Sequence, residues 1–194
     1  LQVLLDSKIC PNCNLKAEII TTQDLSNADL SNAKLDGANL SNTNLSGATV
    51  TNASLINSIL NTTNLTNTNL SGTNLSNTTI TGSNFTGTNL TGVSFTTVRG
   101  FNGLLNDLSN LNFTNANLTD SNLSNAILTG TILTGTTLIS ANLSNTNLKD
   151  AKGTNGTVND FTNFNFTTTN LSGAILTNTL LTGANLNSTN LSNV

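Results

Sequence analysis

Apolar residues recur along this chain at every fifth position. Leucine occupies positions 25, 30, 35, 40 and 45, and the same register continues through Val50, Ile80 and Phe95. We call this slot the centre of a repeat. A small residue stands two positions before most centres, Asn or Asp directly before, Ser or Thr directly after, and then Asn or Gly. The pattern [A/T]-N-L-[S/T]-[N/G] holds from Leu15 to Leu191, with two interruptions.

A period of five residues excludes a regular helix and a straight strand. A helix turns about 100° per residue, so centres five residues apart would scatter around every face. In a straight strand the side chains alternate, so every second centre would point outward. An extended chain with a corner in each repeat resolves this, because Asn and Gly tolerate the left-handed backbone of a turn. The pattern therefore predicts a coiled chain whose centres and small residues point inward.

The repeat resembles the motif A-[D/N]-L-x-x of the pentapeptide-repeat family. Residues 28–32 (ADLSN) and 38–42 (ANLSN) match it directly, and the resemblance covers roughly residues 13–194. It implies an all-β fold, namely a right-handed quadrilateral β-helix, or pentapeptide-repeat solenoid, with four repeats in each coil. We expect leucines to stack on leucines along the axis and Asn side chains to form ladders on the surface.

The two interruptions, near residues 96–107 and 149–160, are alike in sequence. RGFNGLLNDL begins at Arg99 and KGTNGTVNDF begins at Lys152, and each interruption is three residues longer than two repeats. Each copy contains a cation and a downstream acid, so we predict ion pairs of Arg99 with Asp107 and of Lys152 with Asp160. If each interruption occupies two sides of the coil, the loops lie on opposite sides; if three, they lie on adjacent sides.

Two readings of these interruptions remain open at the level of sequence. One is a duplicated segment with its bulge, and the other is a pair of protruding loops that bind a partner, since loops on rigid scaffolds often carry function. Leu111 and Phe164 occupy the small slot just after each interruption. Their extra volume predicts that the coil widens locally and has to be filled.

Residues 1–12 are predicted to form an N-terminal helical cap, and residues 13–194 the solenoid. Apolar residues at 1, 4, 5 and 9 have helical spacing, and Pro11 cannot continue a helix. Cys10 and Cys13 lack further metal ligands, since the chain has no His and no other Cys. Cys13 is either a buried small residue or half of a disulfide that pins the cap to the first coil. This start is similar to exported cyanobacterial members of the family, which implies a removed leader and a periplasmic or thylakoid-lumen location.

The composition of the chain limits the kinds of functional site that it can form. The net charge is −3, only 8% of residues are charged, and His is absent. The sequence therefore predicts no catalytic, cofactor or metal site, so we expect no enzyme. With no basic stripe and no 18-residue apolar run, we expect neither nucleic-acid nor membrane binding.

Three functional hypotheses follow. The first is a non-enzymatic scaffold that binds a protein partner, as a monomer or as an end-to-end dimer through an uncapped C-terminal coil. The second is ice binding by outward Ser and Thr ladders. The third, suggested by the family resemblance, is inhibition of DNA gyrase by duplex mimicry, which this sparse negative charge does not favour.

Overall fold

The computed structural model describes residues 1–100 and 103–194, with Asn155 described by its backbone only. Among these residues, an α-helix, α1, spans Gln2–Ser7 and a 3-10 helix spans Thr154–Gly156. Each five-residue repeat of the described chain contributes a single bridging residue rather than a longer strand. Away from the interruptions, parallel bridges join residues twenty apart, such as Asn44 with Asn64. Four repeats therefore complete each coil.

Centres twenty residues apart stack into four columns. Column 1 contains Leu25, column 2 Leu30, column 3 Leu35 and column 4 Leu40. These centres are fully buried and form one continuous hydrophobic core along the axis. Stacking of leucines, as predicted, is therefore the main apolar contact of the fold.

Every repeat ends in a tight corner. After Leu25, Asn27 adopts a φ of 58° and the amide of Ala28 donates to the carbonyl of Leu25 at 3.1 Å. A positive φ at the third position of a four-residue turn favours Asn or Gly, which explains the last slot of the motif. The coils are joined by backbone bonds such as Leu25 N to Asn44 O at 2.7 Å.

The small slot accepts Ala or Thr for different reasons. Ala simply fits beside the stacked centres. A buried threonine instead donates its hydroxyl to a centre carbonyl of the preceding coil, as Thr68 does to Leu45 at 2.7 Å and Thr63 to Leu40 at 2.9 Å. These hydroxyls are thereby satisfied, as burial requires, whereas the hydroxyl of Ser121 in the same slot has no hydrogen-bond partner among the described residues.

The predicted Asn ladder is present on the outer surface. The Asn64 amide nitrogen donates to Oδ1 of Asn44 at 3.0 Å, one coil earlier. The same Asn64 accepts at its own Oδ1 from the backbone N (3.2 Å) and Oγ1 (2.6 Å) of Thr66. The N-L-[S/T] segment is therefore a local turn motif as well as a rung of the ladder.

Helix α1 covers the N-terminal end of the core. Its Leu4 is fully buried and Leu5 packs partly against the same cluster. The helix ends at Ser7, and Ile9 already bridges Asp29, so the coils begin before the predicted boundary at residue 12. In the described part of the chain, no helix has the length and hydropathy of a membrane span.

Cys10 and Cys13 form a disulfide. The predicted disulfide is therefore confirmed, but the expectation that it pins the cap to the coil was wrong. Cys10 occupies a centre below Leu30, and Cys13 the small slot below Ala33, so both cysteines belong to the first coil. The bond crosses the first corner, where Pro11 and Asn12 are the two central residues of the turn.

Candidate interaction site

The first interruption folds into a hairpin, residues 99–107. Arg99 pairs antiparallel with Leu105, and the amide of Asn106 returns to the carbonyl of Val98 at 2.7 Å. Residues 101 and 102 lie outside the described chain. Leu104 and Leu105 are 55% and 52% exposed. This hairpin therefore presents two aliphatic side chains to solvent.

A glycine makes this excursion feasible. Gly100 takes a centre slot, but its inward space belongs to the returning chain: the carbonyl oxygen of Asp107 lies where a Cβ would be. Leu108, fully buried, then supplies the missing core side chain in the same column. The hairpin thus interrupts the repeat without leaving a hole in the core.

The second interruption, residues 152–160, repeats this construction. Lys152 pairs antiparallel with Val158, and the amide of Asn159 returns to the carbonyl of Ala151 at 2.7 Å. At Gly153 a Cβ would meet the Asp160 carbonyl and the ring of Phe161. Val158 is 47% exposed. The two interruptions are therefore structural copies, and each exposes aliphatic side chains.

Both hairpins are braced from the coil below by a threonine. Thr81 Oγ1 donates to the Gly100 carbonyl at 2.8 Å, and Thr134 Oγ1 donates to the Gly153 carbonyl at 2.8 Å. Within the second hairpin, Thr154 Oγ1 also donates to the Thr162 carbonyl at 2.6 Å. The bases of the hairpins are therefore fixed to the solenoid by hydrogen bonds.

The core beneath the hairpins is aromatic, and the bulky small-slot residues fill it as predicted. Leu111 and Phe164 are both buried. Phe164 lies 5.2 Å from Phe161 and 4.9 Å from Phe166, measured between ring centroids. Near the first hairpin a second cluster contains Phe85, Phe95 and Phe113, with Phe85 and Phe113 stacked at 5.1 Å.

The hairpins lie on neighbouring columns. The backbone amide of Ile80 donates to the carbonyl of Arg99, and the amide of Leu108 donates to the carbonyl of Ile127. The first hairpin therefore starts and ends in column 4. The second hairpin lies in column 1, where the backbone amide of Leu133 donates to the carbonyl of Lys152. Column 4 leads directly into column 1, and the hairpins are two coils, roughly 10 Å, apart along the axis.

The expectation that each interruption occupies two or three sides was therefore wrong. Each one advances the chain by a single column, because the chain folds back and fills its own centre slot with Leu108 or Phe161. Eight complete repeats, or two full coils, separate Leu108 from the second hairpin. The second hairpin therefore starts on the column directly after that of the first.

The predicted ion pairs are not formed. Arg99 Nη1 donates to the Gly103 carbonyl at 3.1 Å, while Asp107 is buried and accepts from the amide of Ser109 at 2.9 Å. Asp160 accepts likewise from Thr162, whose hydroxyl and amide lower the pKa of this carboxyl. Both acids stand in the Asn slot of the motif, so they cap their own corners instead of reaching the cation. Between described residues, ion pairs join Lys8 to Asp24 and Lys16 to Asp36.

Exposed aliphatic side chains are most numerous on the two columns that carry the hairpins. Within the repeats, column 4 exposes Ile19, Ile59 and Ile175 besides the two hairpin leucines, and column 1 exposes Leu180 besides Val158. Column 2 exposes Ile9 and Ile139, and column 3 exposes Leu191. Columns 4 and 1 therefore combine both hairpins with more exposed aliphatic residues than the other two columns.

The sequence matches the family described as "Pentapeptide repeats" in 8 copies, over residues 24–61, 62–96, 107–135, 116–152 and 160–194. The chain belongs to the pentapeptide-repeat family. The matched segments omit residues 97–106 and 153–159, which contain most of each hairpin. Pentapeptide-repeat proteins fold as right-handed β-helices, and this chain is such a β-helix with a short N-terminal helix.

Several solved pentapeptide-repeat structures are similar to this chain. HetL, involved in heterocyst differentiation regulation in the cyanobacterium Nostoc sp. strain PCC 7120, is 24% identical over 92% of this chain and 87% of HetL, with a TM-score of 0.43. QnrB1, a plasmid-mediated fluoroquinolone resistance protein, is 16% identical over 91% of this chain and 86% of its own, with a TM-score of 0.49. A protein from the Arabidopsis thaliana thylakoid lumen is 26% identical over 56% and 63%, with a TM-score of 0.33. No curated protein sequence is similar enough to this chain to count as a relative.

Sequence reasoning singled out the charged residues of the interruptions and missed the more informative ones. The glycines Gly100 and Gly153 allow the chain to fold back, and Leu104, Leu105 and Val158 are exposed on the returning arms of the hairpins. A signal was present, since a glycine directly follows the cation in both copies. What that glycine does depends on a carbonyl seven residues later, which no local pattern reveals.

Proposed function

We propose that this pentapeptide-repeat protein is a non-enzymatic scaffold that binds a protein partner along columns 4 and 1. The observation that carries the proposal is the pair of hairpins on neighbouring columns, whose described residues share the same antiparallel pairing and which expose Leu104, Leu105 and Val158. Four repeats per coil favour the quadrilateral cross-section that the family resemblance implies. In a quadrilateral coil, columns 4 and 1 share an edge, and both hairpins flank it.

Rigid placement of the hairpins supports a binding role. Loops held on a stiff framework lose little conformational entropy on binding, which favours affinity. The threonine braces at Gly100 and Gly153 and the aromatic clusters beneath them provide that framework. The exposed aliphatic side chains of the hairpins match the apolar centre that protein interfaces typically have.

The chemistry of the chain supports a role without catalysis. It has no histidine, and in residues 1–100 and 103–194 no three potential metal ligands cluster. The disulfide is compatible with an oxidising compartment, so we place the protein in the periplasm or thylakoid lumen. The last coil has centres that are only partly buried, namely Leu176, Leu181 and Leu186. Both a monomer and an end-to-end dimer therefore remain proposals.

The other two hypotheses have less support. Many outward Ser and Thr hydroxyls donate within their own repeat, as Thr66 does to Asn64 at 2.6 Å and Thr86 to Asn84 at 2.7 Å. These hydroxyls would offer ice acceptors rather than donors. Duplex mimicry requires a dense line of acids, and residues 37–98 contain no charged residue. We expect no thermal hysteresis and no gyrase inhibition from the purified protein.

The test compares capture of partners from a periplasmic or lumenal extract. The hairpin variant carries Leu104→Ser, Leu105→Ser and Val158→Ser, and the control carries Ile139→Ser on column 2. A second variant, Arg99→Ala with Lys152→Ala, asks whether the two cations contribute. We expect wild type and control to retain a partner that the hairpin variant loses by at least about tenfold in affinity, measured again with the purified partner.

Two results would count against the proposal. One is equal binding of the partner by wild type and the hairpin variant, which would place the interface elsewhere. The other is the absence of any partner that distinguishes wild type from the hairpin variant. Circular dichroism and thermal unfolding of each variant must first match wild type, so that lost binding is not lost folding.

A further inference from the structure

The Cys10–Cys13 disulfide lies at the least regular coil of the solenoid, residues 9–22. Cys10 is buried in the core with Leu4 of α1, while Cys13 is only partly buried. The two cysteines are three residues apart, and the amide of Cys13 donates to the carbonyl of Cys10 at 3.3 Å. The bond therefore closes the first corner covalently.

The other corners around this coil are poorly suited to their conformation. Lys8, Ala17 and Thr22 adopt φ values of 56°, 56° and 61°. Left-handed backbone is unfavourable for residues other than Gly, Asn and Asp, and later corners are mostly Asn or Gly. The first coil is thus the part of the solenoid that local sequence supports least.

The first coil also lacks the surface ladder. Ile9 and Ile19 stand in the slot that Asn often fills in later coils, and both are exposed. Ion pairs join Lys8, directly before this coil, to Asp24 (3.2 Å) and Lys16 to Asp36 (2.9 Å). Exposed ion pairs contribute little to stability. The disulfide therefore adds a covalent restraint to a coil that has little support from its charged side chains.

We propose that the Cys10–Cys13 disulfide is a reducible lock, whose reduction releases α1 and residues 9–22 from the rest of the solenoid. Local opening of this kind is expected at a terminal coil, whose backbone is bonded to one neighbouring coil only. Release would free the backbone N–H and C=O of Asp29 and Lys34, which are now bonded to the first coil. The second coil would then present an open edge for pairing with another chain.

The redox step needs a dithiol reductant such as dithiothreitol or a thioredoxin-type protein. Its thiolate attacks the more accessible Sγ of Cys13, breaks the Cys10–Cys13 bond and forms a mixed disulfide. The second thiol of the reductant then displaces Cys13. Both cysteines take up protons and end as thiols, while the reductant leaves as a disulfide, so two electrons pass to the protein.

Hydrogen–deuterium exchange of the whole chain, with and without dithiothreitol, tests the lock. Closing a loop of about four residues corresponds to roughly a 20-fold change in the opening equilibrium. We expect amides of residues 9–22 to exchange roughly 20-fold faster after reduction. Peptides from residues 62–96 should be unchanged and serve as the internal reference.

A Cys10→Val, Cys13→Ala variant separates the covalent bond from packing. Val50 occupies the same column slot as Cys10, and Ala33 the same slot as Cys13, so both replacements are residues that the fold already uses. We expect this variant to exchange like reduced wild type, with or without dithiothreitol. Unchanged exchange of residues 9–22 after reduction, or equal acceleration along the whole chain, would overturn the proposal.

Discussion

The uninterrupted coils and the two hairpins achieve stability in different ways. In residues 37–98 every repeat contributes a stacked centre and a tight corner, and some repeats add a rung of the Asn ladder. At the hairpins, the structure depends on a few irreplaceable residues, such as Gly100 and Phe164. The regular coils should therefore tolerate single changes better than the hairpins, although the hairpins occupy far less of the chain.

The largest effect is expected at the aromatic core of the second hairpin. Phe164→Ala removes a buried ring that contacts Phe161 and Phe166, and it should lower the free energy of unfolding by about 4 kcal/mol. Urea denaturation measures this change. Leu111→Ala, at the matching slot of the first hairpin, should cost about 3 kcal/mol. A loss below about 1 kcal/mol at both sites would contradict the idea that these residues fill a widened coil.

A smaller effect is expected at the glycine of the first hairpin. Gly100→Ala places a methyl group on the Asp107 carbonyl, so the hairpin must shift at a cost of about 2 kcal/mol. Gly92→Ala is the matched control in a regular coil, because its φ is 70° and no atom lies within 4 Å of the added Cβ. We expect about 1 kcal/mol there from backbone strain alone. Equal losses in the two variants, measured by thermal unfolding, would remove the distinction.

The smallest effect is expected from pH. The pKa of Asp24 is lowered to about 2 by hydrogen bonds from Ser26, with Lys8 adding to the effect, and the pKa values of Asp29, Asp36 and Asp160 are lowered by Ser or Thr donors. A carboxyl with a lower pKa in the folded state stabilises the protein above its unfolded pKa. That stability is lost as pH falls from about 4 towards 2.

Melting temperatures between pH 5 and pH 2 measure this dependence. Asp24→Asn should flatten it slightly, because Asn can cap the same corner without titrating. Residues 37–98 contain no titratable side chain, so the change must come from the N-terminal coils and the hairpins. A melting temperature independent of pH in this range would show that these carboxyls bind protons equally in both states.

Much of the candidate site was out of reach of sequence reasoning. The register of the repeat made the interruptions and the bulky residues Leu111 and Phe164 recognisable, and both of these side chains are buried. The predicted ion pairs were wrong because Asp107 and Asp160 stand in the Asn slot of the repeat. Their carboxylates accept hydrogen bonds from the amides two residues later, as Asn does in other repeats. Charge patterns in a sequence suggest ion pairs, but the nearby backbone amides lie closer to these carboxylates than the cations do, and their position is fixed by the turn.

The sequence by itself determined the five-residue corner, the inward slots and the uncharged, laddered surface, because these features depend on residues within one repeat. Only the tertiary structure decided how many repeats close a coil, which columns carry the hairpins and where the disulfide lies. Those features depend on contacts between residues far apart in sequence, such as Asn44 with Asn64 or the Asp107 carbonyl over Gly100. Backbone pairing between coils sets them, and a local repeat cannot encode its own partner one coil away.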